Sequence, residues 1–165
     1  MGNLTNVKIG VCSATYKGVD LGHTKGGVKV SYKPEYEDII VDAYGKSVTD
    51  KVLTKEVWEI KVPLAETQIA NIAKSIPTST TAGAVTKFGS QAGARLSTGA
   101  GELLLHPTAV TGTSEDWVFY KAVISGDIEY TYAVDEERVA EVVFTALIDE
   151  TKSNGNYHGH VGTIS

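Results

Sequence analysis

Histidine is the residue type in this chain best suited to metal binding, and four histidines occur in it. His158 and His160 flank a single glycine in a segment rich in Gly and Asn, while His23 and His106 are distant from them in sequence. A specific zinc motif needs further Cys, His or carboxylate ligands at short spacing. The segment around His158 and His160 lacks such partners, so the sequence predicts no metal site.

The other residues that could carry chemistry are better explained by structure. Cys12 is the single cysteine, so it cannot form an intrachain disulfide, and we predict a small buried side chain on a strand. The acidic run Asp135-Glu136-Glu137 lacks the loop pattern of a calcium site and indicates a solvated turn. Gly99 and Gly101 precede a strand, so phosphate binding has no helix N-terminus to use there. Without any P-loop, dinucleotide or nucleophile-elbow motif, we predict no catalytic residue, no cofactor and no enzyme activity.

Composition limits the classes of protein that the chain can represent. Its 165 residues fit one domain, and a hydrophobic content of 42% is enough for a sizeable core. The net charge of -5 argues against a protein that binds nucleic acid by releasing counterions from phosphates. No run approaches the roughly 18 apolar residues that a membrane span requires, so we expect no membrane contact and folding in the cytoplasm.

The elements of the chain are predicted to be mostly strands. Apolar and polar residues alternate over 28–33, 57–62 and 127–132, which is typical of strands with one buried face. The segments 117–124 and 139–148 are apolar on both faces, so we expect them to lie in the core or beneath a neighbouring subunit. Helical spacing of Ala65, Ile69, Ile72, Ala73 and Ile76 between two prolines predicts one helix, over residues 66–75.

Two regions are predicted to be irregular. Residues 75–101 are mostly Ser, Thr, Ala and Gly, which predicts loops with short strands near 85–88 and Leu96. Residues 152–165 are rich in Gly and Asn and predict a flexible C-terminal tail.

The segment 42–50 carries turn-forming Gly and Asp residues and predicts the tip of a long protruding hairpin. A hairpin that extends beyond its own core leaves apolar side chains without an intrachain partner, and these are most easily covered by another subunit. The hairpin residues expected to make that contact are Ile39, Ile40, Val41, Tyr44, Val48, Val52 and Leu53.

Three stretches of the chain resemble one protein family. The segment Leu21-Gly22-His23-Thr24-Lys25-Gly26-Gly27, leading into the alternating strand 28–32, resembles the start of the major tail tube proteins of long-tailed bacteriophages (siphophages). The hairpin 39–53, followed by 58–66 with its Val-Pro-Leu-Ala-Glu sequence, is similar to the family's hairpin and helix entry. The acidic run at 135–137 and the strand ending at Asp149 resemble the family's closing strand, so the likeness covers residues 21–149.

The resemblance implies a mainly β domain, a β-sandwich or barrel-like fold with one flanking helix and a long protruding hairpin, related to type VI secretion tube proteins. The implied domain spans 21–151, preceded by an N-terminal arm and first strand (1–20) and followed by the tail (152–165). Family members form hexameric rings that stack into the tube through which DNA is ejected. The implied partners are further copies of the chain and the tail tip or initiator, tape measure and tail terminator proteins. The implied location is the virion, after assembly in the host cytoplasm.

Charge placement gives an expectation for the lumen of such a tube. Residues 35–50 hold five acids and one Lys, and residues 127–141 hold six acids and one Arg. An acidic or neutral wall would let DNA pass without specific binding, because basic residues retain phosphates. Glu59 and Glu129, each flanked by apolar strand residues, are the lumen candidates. The alternative, that such acids solvate outer loops, stays open, as does the inward placement of Lys29, Lys33 and Lys61.

Two other functions remain open from the sequence. A carbohydrate-binding or adhesin β-sandwich would use exposed aromatic residues, and the chain has eight tyrosines. The tube protein of a bacterial contractile injection system would share the fold and the assembly.

Overall fold

The computed structural model describes residues 10–66, 73, 76, 79–89, 92–130, 139–152 and 157–163. These residues are mainly β, with two short 3₁₀ turns at Asp42–Tyr44 and Leu96–Gly99. The strands are β1 (Cys12–Tyr16), β2 (Val19–Asp20), β3 (Lys29–Ile40), β4 (Val48–Leu64), β5 (Thr80–Ala82), β6 (Val85–Lys87), β7 (Gly101–Pro107), β8 (Trp117–Ile124), β9 (Ala140–Ala146) and β10 (Gly159–Val161).

Eight of these strands form one antiparallel sheet, seven of them in the order β2-β1-β7-β8-β9-β4-β3 and the eighth, β10, beside β8. β10 pairs with the first half of β8, at Trp117–Phe119, while β9 pairs with its second half, at Ala122–Ile124. β5 and β6 form a separate small hairpin. The described strands do not close into a barrel, so the fold prediction is confirmed in its mainly β character and not in its barrel-like form.

The core lies along one face of the curled sheet. Tyr16 on β1 contacts Phe144 on β9, with ring centroids 5.0 Å apart, although β7 and β8 lie between these strands in the sheet. Trp58 on β4 likewise lies 6.1 Å from Phe119 on β8. Such contacts require the sheet to bend around its own apolar side chains. Burial of these side chains, at roughly 25 cal/mol per Å² of apolar surface, is the main stabilising contribution.

The glycine-rich segment 21–27 carries the chain from β2, at one end of the sheet, to β3, at the other. Leu21 is buried in the core, and the N–H of Gly22 donates to Asp20 Oδ1 at 2.9 Å. Gly22 has a φ of +84°, where side chains are disfavoured, and a Cβ there would lie 2.6 Å from Glu66 Oε2. The N–H of His23 donates to Glu66 Oε1 at 3.2 Å. Two of the stretches that carry the family resemblance are therefore in direct contact.

Three strand predictions were confirmed, at 28–33, 57–62 and 117–124, and β9 confirms most of 139–148. The two-faced pattern of β8 has a local cause: its pairing with β7 shifts register between Leu103 and Gly101. The shift places Phe119 and Ala122, which are not an even number of residues apart, on the same buried face. β9 has its buried residues on one face, because Val142, Phe144 and Ala146 alternate with less buried ones.

Other predictions were wrong or lie outside the described residues. Residues 127–129 form no strand, and Tyr130 makes a single bridge to Ala140. Leu96 begins a 3₁₀ turn instead of lying on a strand. β10 forms within the segment predicted as a tail, because its backbone completes the edge of β8 that β9 leaves open. The predicted helix lies outside the described residues except at Glu66 and Ala73, and so does the acidic run at 135–137.

Candidate functional site

The β3–β4 hairpin extends well beyond the rest of the sheet. β3 and β4 pair from Lys29–Lys61 to Ile40–Val48, but β9 supports β4 only over Glu59–Leu64. Every residue from 35 to 56 is exposed. At about 3.4 Å per residue, the six exposed β3 residues from Glu35 to Ile40 extend roughly 20 Å beyond Pro34, the last partly buried residue of the strand. The predicted protruding hairpin is therefore present, with its tip at residues 41–47.

Two register shifts decide which hairpin side chains share a face. Directly opposed residues of an antiparallel pair lie on the same face, and faces alternate along each strand. The pairing shifts between Glu35 and Tyr36, which leaves Thr54 unpaired and places Leu53 opposite Tyr36. A second shift between Ile39 and Ile40 places Val48 opposite Ile40. Each extra residue on β4 moves the following apolar side chain to the other face.

The result is an apolar stripe on one face of the hairpin, continuous with the core. We define the stripe by the residues Tyr32, Tyr36, Ile40, Val48 and Leu53, all of which are exposed. At its base the ring of Tyr32 lies 4.8 Å from Trp58, which packs against the core. Charged side chains interrupt it at two rungs: Glu56, opposite Pro34, accepts a hydrogen bond from the Tyr32 hydroxyl at 2.9 Å, and Lys51 Nζ lies 2.9 Å from Asp38 Oδ1. Tyr32 and Tyr36 are not among the contact residues predicted from the sequence, although their alternation along β3 indicates that they share a face with Ile40.

The opposite face of the hairpin is mainly charged. Lys55 Nζ lies 2.7 Å from Glu35 Oε1, and Lys33 Nζ lies 2.6 Å from Glu59 Oε2. Ile39 and Val52, which the sequence analysis grouped with the other contact residues, lie on this face. The predicted contact residues therefore divide between two faces and the tip, where Val41 is 40% exposed and Tyr44 68% exposed.

The two lumen candidates occupy different settings. Glu59 lies on β4, on the face opposite the core, and accepts a hydrogen bond from Lys33 that lowers the pKa of its carboxyl group. Glu129 is exposed, follows β8 in an irregular segment and lines a groove with Lys29 and Lys61. Each candidate therefore lies close to lysine side chains.

The histidines are engaged in separate places. His106 Nδ1 lies 2.6 Å from Oδ1 of Asp116, a buried residue. His160 Nδ1 lies 2.8 Å from the hydroxyl of Tyr120. Nδ1 of His158 is buried and has no hydrogen-bond partner among the described residues. No cluster of three or more potential metal ligands occurs within the described part of the chain.

Cys12 is half-buried on β1, as the sequence predicts for a strand position, though it is not fully enclosed. Burial raises the pKa of its thiol, and the nearby charge of Asp116 raises it further. A raised pKa disfavours the thiolate, which is the nucleophilic form.

None of the helical segments that the structure describes has the length and apolar character required to cross a membrane. A comparison of the chain with models of known protein families gives no match. A comparison with curated proteins also gives no match.

Proposed function

We propose that the chain is a structural subunit that assembles with its own copies into stacked hexameric rings, forming a phage tail tube. In this proposal the β3–β4 hairpin makes the contact between rings. The observation that carries the proposal is the apolar stripe on a hairpin whose residues 35–56 are all exposed. The hexameric state and the tube come from the family resemblance of residues 21–149.

The physical properties of the hairpin support an assembly role. An isolated two-stranded ribbon is marginally stable in water, so a 20 Å extension gains from being covered. The stripe sets five large apolar or aromatic side chains along one face, divided by Glu56 and by the Asp38–Lys51 pair, and exposed apolar surface of this kind marks interaction sites. β3 also ends the strand order, so one edge of this long strand has no neighbour among the described strands. Free edges of this kind pair readily with another chain.

The remaining parts of the proposal follow from this role. The protein would act without enzyme activity and without a cofactor, as a component of the virion. Its partners would be copies of itself and the proteins that start, measure and end the tube. DNA would pass through the lumen without specific binding, past the charged face of β4 that carries Glu59 and the irregular segment that carries Glu129.

Size-exclusion chromatography with light scattering, over a range of concentrations, tests the proposal together with negative-stain electron microscopy. We expect a shift from monomer to large assemblies as concentration rises, with rings or tubes in the images. A strictly monomeric protein at every concentration, including with a tail initiator protein added, would contradict it. Binding of the monomer to a glycan array, without assembly, would favour the carbohydrate-binding alternative, for which Tyr36 and Tyr44 are among the exposed aromatic residues.

A further inference from the structure

A surface groove lies beside the start of β3 and the end of β4, at the end of this strand pair far from the hairpin tip and on the face opposite the core. Its volume is about 410 Å³. Three lysines line it, Lys25, Lys29 and Lys61, together with the backbone at Gly26 and Gly27. The groove is separate from the apolar stripe, and the proposed assembly role makes no use of it.

Two of the lysines that line the groove repel each other when no anion is bound between them. Lys29 and Lys61 are directly opposed on β3 and β4. Like charges in directly opposed positions of an antiparallel pair destabilise the pair. Lys61 Nζ lies 3.3 Å from Glu141 Oε1, but Lys29 makes no ion pair with a described residue. An anion between the two ammonium groups would remove this repulsion.

The backbone beside the lysines presents hydrogen-bond donors. The N–H of Lys25 donates to the carbonyl of Pro63 at 3.0 Å, which continues the pairing along β4. The next two residues, Gly26 and Gly27, have φ values of +98° and +85°, which turn the chain out of that pairing. Neither glycine N–H donates to another described residue. Ammonium groups and unpaired amides together provide the donors that a phosphate oxygen accepts.

Two carboxylates also line the groove, and they limit its charge. Among the lining residues that the structure describes, three lysines and two glutamates give a net charge of +1. The carboxylate of Glu141 forms an ion pair with Lys61, and the side chain of Glu129 is exposed to solvent. We propose that this groove binds a phosphate group, held by Lys29, Lys61 and the amides of Gly26 and Gly27. The group can belong to free inorganic phosphate or to a larger phosphorylated molecule.

Titration of the full-length protein with inorganic phosphate, followed by ³¹P NMR line broadening at constant ionic strength, tests the site. Saturable binding is expected for the wild type, and Lys29→Gln should weaken it about tenfold, because one charge-assisted hydrogen bond is lost. Lys33→Gln removes the same charge from the same strand and face outside the groove, so its phosphate affinity should match the wild type. Lys29→Arg should retain binding, and circular dichroism melts establish that each variant is folded.

Absence of saturable binding to the wild type would overturn the proposal. Equal weakening by Lys29→Gln and Lys33→Gln would also overturn it, since it would show a general charge effect. If binding is saturable and depends on Lys29, a short DNA duplex added as competitor identifies the source. Displacement of phosphate by the duplex would assign the group to nucleic acid and would contradict the passage of DNA without specific binding, while failure to displace it would exclude duplex DNA as the source; either result supports the site.

Discussion

The assignment of faces along the hairpin predicts opposite outcomes for two adjacent substitutions. Leu53 lies in the apolar stripe and is 42% exposed, while Val52 lies on the charged face and is 47% exposed. We expect Leu53→Asp to prevent assembly and Val52→Asp to affect it far less. The two variants form a matched pair, because they add the same charge at neighbouring positions of nearly equal exposure.

The folded monomer should tolerate both substitutions. Neither side chain is buried in the chain itself, so each change should alter the free energy of unfolding by no more than about 1 kcal/mol, the range of strand propensities. Assembly differs, because an unpaired charge buried in an interface costs about 3–5 kcal/mol. At about 1.4 kcal/mol per tenfold, the concentration needed for Leu53→Asp to assemble should rise more than a hundredfold.

Light scattering against protein concentration, with negative-stain images at each point, measures that threshold. Circular dichroism melts of the same samples show that both variants remain folded. Assembly of Leu53→Asp at the wild-type threshold would refute the role of the stripe. Equal impairment of both variants would refute the assignment of faces, and would indicate that both sides of the hairpin are covered.

Three further predictions concern the stability of the domain. Gly22→Ala should lower the free energy of unfolding by at least about 1 kcal/mol in chemical denaturation, because its φ is +84° and Glu66 must move away from the new Cβ. Glu59→Gln should lower the melting temperature near neutral pH, because the wild-type carboxylate is stabilised by its hydrogen bond from Lys33. The pKa of this carboxyl group in the folded protein lies below the ordinary 4.5, so the stabilisation is present above pH 4.5 and disappears as the pH falls through the lowered value. Equal differences in melting temperature at pH 7 and pH 2.5 would contradict this. Gly159→Ala should detach β10, because the new Cβ would overlap a backbone carbonyl of β8, and amide hydrogen exchange in the first half of β8 should then accelerate; unchanged exchange would contradict this.

Much of the fold follows from local sequence patterns. Period-two alternation identifies the first part of β3 and the C-terminal part of β4, and the turn residues between Asp42 and Asp50 place the hairpin tip, because both signals depend on neighbouring residues. The alternation at 127–132 does not produce a strand at residues 127–129, where the pairing is limited to the bridge from Tyr130 to Ala140 of β9, because a strand also needs hydrogen-bonding partners that a local pattern does not supply. β10 forms because β9 leaves the edge of β8 open at Trp117–Phe119, although the Gly-rich sequence of β10 has little strand propensity of its own.

The sequence predicts which segment of the chain carries the candidate contact surface, but not which side chains share a face of the hairpin. The sequence by itself determined that residues 39–53 form a hairpin with more apolar side chains than a small core can bury. Only the tertiary structure decided that Leu53 and Val48 join Tyr36 and Ile40, because a single unpaired residue at each register shift reverses the side of every residue after it. Tertiary structure also decided that Lys29 and Lys61, far apart in the chain, oppose one another. Register is set by pairing between distant segments, and no local pattern in either segment specifies it.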